Sequence, residues 1–330
     1  MNSSPVRRAV VLFAVLALLV IFVSDGGNAA STGTSASQRS IAPPRPTIVF
    51  ARGDTTRDIY VAAPYPTGRQ AIGLGPVYKL TRITDHPAND GSPSWSPDGE
   101  RIVFDSERDN SMSEIYTMKR DGTDIVRLTS NAMYDWLPRW SPNGQYITWM
   151  RCVGNGFNIW VMNTDGTNKH QLTYLPTVDT QPDWAPDSQW IVWTSLRDGN
   201  WGEIYKIKTD NTGLTRLTNN GADDGQPAWS PDGQRIAFAR REPAHEGART
   251  QWKPDHIWVM NADGTGEVQL THGKAHDHGP RWSADGTQIM FSSTRAGGRH
   301  IYRMKADGSD IQPVITSGTD NRYHDWLILR

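Results

Sequence analysis

Four histidines lie close together in the C-terminal part of the chain: His272, His276 and His278 in one connection, and His324 near the end, flanked by Asp277 and Asp325. Imidazole and carboxylate groups are the donor set of divalent metals and of acid–base catalysis. The run Thr271-His272-Gly273-Lys274-Ala275-His276-Asp277-His278 matches no compact metal motif. His276, His278 and His324 are therefore candidates for a divalent cation only if the fold gathers them around a channel. Surface or hydrogen-bonding roles are the ordinary expectation, and no cofactor is expected.

A second series recurs along the whole chain. Asp90, Asp135, Asp179, Asp224 and Asp277, with Asn321 in the sixth place, each stand five residues before a tryptophan. Arginines recur in step with them, at Arg52, Arg108, Arg151, Arg197, Arg240 and Arg295. Acidic and amide groups at a channel mouth could hold a cation or a basic peptide end. They could also cap the backbone of their own loops, or pair with the arginines between neighbouring units. Asp90, Asp135, Asp179, Asp224, Asp277, Asn321, Arg108, Arg197, Arg295 and the loop residue Trp252 are the candidates for channel or ligand binding. No nucleophile elbow, His-Glu-x-x-His, phosphate loop or dinucleotide fingerprint occurs in the sequence.

The elements that must position these residues follow from a repeat. Trp95, Trp140, Trp184, Trp229, Trp282 and Trp326 are separated by 45, 44, 45, 53 and 44 residues. The first five are followed by a turn tetrapeptide such as Ser96-Pro97-Asp98-Gly99, in which proline presets φ and glycine accepts the exit geometry. Next comes a β-branched and aromatic strand, for example Ile102-Val103-Phe104, and then a third carrying Ile115-Tyr116. A tight turn such as Asp121-Gly122-Thr123 leads into a fourth strand ending in Leu128-Thr129. Four short antiparallel strands per unit are the signature of a propeller blade. The first unit lacks its tryptophan-bearing strand, and the segment His324-Asp325-Trp326-Leu327-Ile328-Leu329 is placed to supply it. The expectation is an all-β, six-bladed β-propeller of four-stranded antiparallel blades over residues 46–330, closed by the C-terminal strand joining the N-terminal blade. Closure of this kind removes open sheet edges.

With the tetrapeptide and Asp-Gly-Thr turns on one face, the longer links between second and third strands fall on the other. The fourth of these, Ala239 to His256, holds the insertion behind the 53-residue spacing and carries Arg240, Arg241, His245, Trp252 and Lys253. A mixed aromatic loop of this kind suits recognition, and equally a solvated insertion.

Residues 1–30 read as a signal peptide or signal anchor: Arg7 and Arg8 precede an apolar run from Ala9 to Val23, then small residues to Ala30. That run is short for a bilayer span of about 20 residues, which favours cleavage over anchoring. Residues 31–45 read as a flexible linker. The formal net charge of -1 gives no global field for nucleic acid, and a single cysteine, Cys152, excludes an internal disulfide framework.

The pattern Asp-x-x-Pro-x-Trp-Ser-Pro-Asp-Gly, present from Asp90 to Gly99 and again from Asp224 to Gly233, resembles the WD-like repeat of the TolB-type propeller family. With the Ile-Tyr and Asp-Gly-Thr elements the resemblance spans residues 46–330. It implies a periplasmic or secreted protein that docks onto envelope partners. The mixed α/β domain that family members carry before the propeller is expected to be replaced here by the short tether. Related propellers gate serine peptidases or act as uronate-type polysaccharide lyases, so fold alone does not choose the activity. The leading expectation is an exported, monomeric, non-catalytic scaffold binding an envelope or extracellular protein, peptide or glycan on the long-loop face. It would meet no nucleic acid, and a membrane only through an uncleaved N-terminal segment. The alternative is an envelope hydrolase or polysaccharide lyase with a histidine and carboxylate site in the channel.

Overall fold

The computed structural model describes residues 47–53, 56–64, 78–109, 112–174, 176–243, 253–318 and 320–326. The signal segment, the linker, Trp252 and Leu327 to Arg330 lie outside the described residues. Within the unit Pro44–Arg330 the described residues form six four-stranded sheets and no helix. Each blade runs outward from an inner strand. These inner strands are Asp90–Trp95, Asp135–Trp140, Asp179–Trp184, Asp223–Trp229, Asp277–Trp282 and Asn321–Trp326. The last of them pairs antiparallel with Ile48–Arg52, joining Ile48 to Trp326 and Arg52 to Asn321. It also packs against the inner strands Asp277–Trp282 and Asp90–Trp95, which closes the ring.

The local chemistry of each repeat accounts for its form. In the tetrapeptide turn the Gly99 N–H donates to the Ser96 carbonyl at 2.9 Å, while the Ser96 hydroxyl donates to Asp98 at 2.6 Å. The Ser96 hydroxyl oxygen in turn accepts from the Arg101 N–H, locking the hairpin. In the second tight turn Asp121 accepts from the Thr123 N–H and hydroxyl.

The fourth strands are shorter than the sequence pattern suggests. In four blades they comprise only Val126–Arg127, His170–Gln171, Thr215–Arg216 and Val268–Gln269, with the Leu-Thr pair lying just beyond. There the threonine hydroxyl takes over the ladder. Thr129, Thr173, Thr218 and Thr271 accept from the N–H groups of Ile115, Ile159, Ile204 and Ile257 at 2.8–3.0 Å. A buried donor is satisfied without extending the strand.

The core lies between blades. Trp95, for example, packs with Val49 and Ile59 of one blade and with Phe104, Tyr116 and Met118 of the next. Burial of an indole of 150–250 Å² is worth roughly 4 to 6 kcal/mol at the usual area coefficient. Three of the six periodic tryptophans also clamp neighbouring blades by hydrogen bonds. Trp184, Trp282 and Trp326 donate Nε1–H to the carbonyls of Arg139, Ala228 and Arg281, at 3.1–3.2 Å.

Candidate functional site

Each inner strand contains one extra residue relative to its neighbour. Gly91 pairs with Asp105 and Ser94 with Val103, so Ser92 and Pro93 together oppose a single residue. The same bulge occurs in all six inner strands. Its first residue has a left-handed backbone at Ser92, Leu137, Gln181, Gln226, Gly279 and Tyr323, with φ of 46–58°. Side-chain-bearing residues adopt this conformation at a cost, and five of the six also precede proline, which disfavours it further. A bulge re-aims side chains. Here it directs residues of successive inner strands into the central channel.

Two cavities meet in that channel at Arg139 and Arg281. On the tetrapeptide-turn side, a cavity of about 120 Å³ is bounded by the tryptophans together with Asp183 and Asp325. On the long-loop side, a cavity of about 220 Å³ is lined by Arg139, Arg281, Arg299, Arg322, His278 and His324, with Gln181, Gln226 and Tyr323 on its wall. Among the described residues, no aspartate or glutamate lines it.

Asp183 and Asp325 are committed to backbone. They accept from the N–H groups of Trp229 and Trp95, both at 3.0 Å, across blade boundaries. Arg139 is 7% exposed, and its guanidinium makes one long contact of 3.4 Å to the Pro93 carbonyl. Burial, reinforced by the repulsion of Arg281, lowers its pKa to about 10, against attraction from Asp325, Asp183 and Asp105. Arg281 donates to the Pro280 carbonyl at 3.1 Å. Among the described residues, neither guanidinium has a carboxylate within 4.0 Å. His324 is 2% exposed, and burial pushes it down to about 3, so it is neutral. Its Nδ1 faces the Ser292 hydroxyl at 3.3 Å. Its Nε2 has no partner at hydrogen-bonding geometry, although the backbones of Met290 and Gly279 pull weakly toward the charged form.

The recurring aspartates occupy a different environment. Asp90, Asp135, Asp179, Asp224 and Asp277 are wholly buried at the starts of their inner strands. Each is paired with an arginine of its own blade: Arg108, Arg151, Arg197, Arg240 and Arg295, at 2.6–3.0 Å. The pairing is within blades, not between them, because Asp135 and Arg151 are direct register partners on adjacent strands. Loop capping is not what these carboxylates do either. Among the described residues their partners are guanidinium, indole and amide donors, such as Trp193 Nε1 on Asp179 and the Asn131 amide on Asp135. Each guanidinium also lies over aromatic rings of the second and third strands, as Arg151 does over Trp149 and Trp160 at 5.4 and 4.4 Å. In the sixth unit Asn321 is buried, and its amide donates to the carbonyls of Arg299 and Ser317.

The histidines divide. His276 and His278 meet Asp255, with His276 Nδ1 at 2.6 Å and His278 Nε2 at 3.8 Å from its Oδ2, and these donor atoms lie within 4.8 Å of one another. Three such donors could hold a divalent cation with positions open to solvent or substrate. His324 does not belong to this group; it shares with His278 only the lining of the cavity. His272 lies 6.5 Å from His256, ring to ring, apart from both. Trp252 and most of the insertion lie outside the described residues; Arg240 and Arg241, at its base, are strand residues paired with Asp224 and Asp223.

Reading the sequence by its recurring positions missed Arg139, Arg281, Arg299 and Arg322. For Arg139 and Arg281 the signal was the variable position just before each tryptophan, whereas Arg322 and the third-strand Arg299 carry no such mark. That position reads Ser94, Arg139, Asp183, Ala228, Arg281 and Asp325 around the ring, so charges enter the channel in only some blades.

A bulged, tryptophan-clamped six-sheet ring with a polar channel defines a β-propeller of the WD-like kind. The family model of the TolB beta propeller domain matches residues 75–158, 138–253 and 248–327, and the chain belongs to this family. Among solved structures it is similar to TolB from Acinetobacter baumannii, with a TM-score of 0.67 and 18% identity over 85% of this chain and 66% of that one. It is also similar to a putative TolB from Agrobacterium tumefaciens, with a TM-score of 0.61 and 21% identity over 73% of this chain and 88% of that one. An uncharacterized protein of Agrobacterium fabrum is 39% identical over 71 residues, which is 22% of this chain and 23% of that relative. The chain thus spans under a quarter of that relative, and just under two thirds of the Acinetobacter protein.

Proposed function

We propose that this protein is an exported, non-catalytic binding scaffold of the periplasm or cell exterior, which takes a protein, peptide or glycan partner at the channel mouth on its long-loop face. The observation that carries this reading is the contrast in polar saturation. The recurring Asp–Arg pairs are buried and turned onto each other within their blades, whereas the 220 Å³ mouth cavity presents side-chain donors that the fold does not use. Binding sites are concave and carry a few convergent polar groups. Export is supported by the charged, apolar and small-residue order of residues 1–30. The test is comparative capture from envelope extracts with the full chain. A partner bound by the wild type should be lost with Tyr323→Ala and Arg322→Glu, and kept with Glu100→Lys on the opposite face. Capture that both mouth variants retain would remove the mouth from the account.

A second reading is favoured by the Asp255, His276 and His278 group. With a divalent cation there, the same mouth would suit a hydrolase or polysaccharide lyase. Metal analysis of untagged protein, together with turnover of acidic glycans that is lost in His276→Ala, would support this reading. Neither metal nor turnover would leave the scaffold.

A further inference from the structure

The mouth cavity has an unusual balance of donors and acceptors. Gln226 Oε1 accepts from the Gly279 N–H at 2.7 Å, and Gln181 Oε1 accepts from the Gln226 N–H at 2.9 Å and the Thr194 hydroxyl at 3.0 Å. With both amide oxygens engaged, the two Nε2 groups are donors, and no acceptor among the described residues takes them. Arg139 and Arg281 form the floor, where like charges face each other without a carboxylate at contact distance. Arg299 is at the rim, with its pKa lowered by burial and by Arg322. Arg322 contributes less, since its Nε donates to Asp320 at 2.6 Å. The surrounding carboxylates are Asp183 and Asp325 on the far side of the floor, Asp105 behind Leu137, Asp320 on Arg322, and Asp255 beyond His278. None of them lines the cavity. Burying a guanidinium without a partner is costly, and the cost falls when an anion supplies the missing acceptors. Guanidinium forks match carboxylate and phosphate oxygens in pairs.

We propose that the channel mouth binds a small polyvalent oxyanion, held between Arg139 and Arg281 at the floor and Arg299 at the rim, with Gln181 and Gln226 donating from the wall. The proposal rests on the mouth being the binding site and adds the chemical class of what enters it. The anionic group can be carboxylate or phosphate, and the experiment separates the two.

Thermal unfolding of the full chain is followed by tryptophan fluorescence while citrate, pyrophosphate, or sodium chloride at matched ionic strength is titrated in. A bound oxyanion should raise the wild-type midpoint by roughly 5 °C at about one hundred times its Kd. The shift should come with citrate if the site prefers carboxylates, and with pyrophosphate if it prefers phosphates. Citrate and phosphates also stabilise proteins non-specifically, so the decisive quantity is the difference between wild type and variant. Arg281→Gln at the floor and Arg299→Gln at the rim should each remove most of the specific shift. Without anion, both should melt within about 2 °C of wild type, as expected of cations that the fold leaves unpaired. The half-buried Arg299 keeps the test available if the floor variant fails to fold. Equal shifts in wild type and variants, or no shift beyond chloride with either anion, would overturn the proposal. That result would leave partner capture at the mouth standing. Capture insensitive to mouth substitutions, with the anion shift intact, would sink the scaffold reading and leave this one.

Discussion

Arg139 and Arg151 belong to the same blade, the first immediately after a bulge and the second directly across the ladder from Asp135, and they live in opposite electrostatic worlds. Arg151 meets Asp135 through two contacts of 2.7 and 2.8 Å and lies over the rings of Trp149 and Trp160. Arg139 faces the channel with one weak carbonyl contact. The first arrangement recurs in five blades and anchors the starts of their inner strands. The second occurs only where the position before the tryptophan is arginine. Periodic residues here build the ring, and the departures from the period furnish the channel.

The largest expected effect comes from breaking a periodic pair. Arg151→Met leaves the Asp135 carboxylate wholly buried with only the Asn131 amide near it. Removing one partner of a buried pair costs about 3 to 5 kcal/mol. Urea unfolding should show that loss, and a loss below about 1 kcal/mol would mean the pairs do not anchor the blades.

Next in size is a pH effect that the wild type conceals. Burial raises Asp105 to about 6, so between pH 4 and 6 the folded state holds a proton the unfolded state has released, and stability falls as pH rises. Burial lowers His324 to about 3, so over the same interval the unfolded state holds a proton the folded state lacks, and stability rises with pH. The two slopes oppose each other, each about 1.4 kcal/mol per pH unit at most. Relative to wild type, Asp105→Asn should therefore lose stability as pH falls from 6 to 4, by roughly 2 kcal/mol over the interval. His324→Gln should change in the opposite direction. Unfolding free energies at pH 4, 5 and 6 for the three proteins decide this, and parallel curves would refute both assignments.

A smaller effect tests the fourth strands. Thr129→Val keeps the shape of the side chain but removes the hydroxyl that accepts from the Ile115 N–H. An unsatisfied buried donor costs about 1 to 3 kcal/mol, and faster amide exchange at Ile115 should accompany the loss.

How far each region was legible in the sequence follows the same division. The ring was readable because tryptophans, turn tetrapeptides and Ile-Tyr pairs keep step over six units, and the closing strand was readable because the first unit lacked its own. The aspartate and arginine series were visible, and so was the chance that they pair, but which blade supplies the partner was not. Whether Asp135 meets Arg151 or an arginine of the next blade depends on ladder register, which the bulge shifts by one residue. The histidines show the reverse limit. His276 and His278 meet through Asp255, a residue no spacing had singled out, while His324 occupies the place that proline holds in the other five inner strands. A side chain's direction at a bulge with left-handed backbone cannot be read from period-two alternation, and Gln181, Gln226, Tyr323, His324, Arg139 and Arg281 all lie at or just beyond such a bulge.

The smallest expected effect is also the sharpest test of the contrast between the two arginines. Arg139→Met removes a buried cation that has no carboxylate at contact distance and replaces it with a flexible apolar side chain of similar length. The desolvation cost disappears, which favours the variant. Opposing this, Asp183, already raised by burial, loses one of the two arginines whose charge holds it down. A carboxyl in that position can take up a proton rather than remain an uncompensated charge, which limits the loss. The two terms should leave the variant within about 1 kcal/mol of wild type in urea unfolding, set against a several-fold larger loss for Arg151→Met in the same blade. Equal losses for the two substitutions would mean that Arg139 is as structural as Arg151, and that the channel holds no cation the fold leaves available for a ligand.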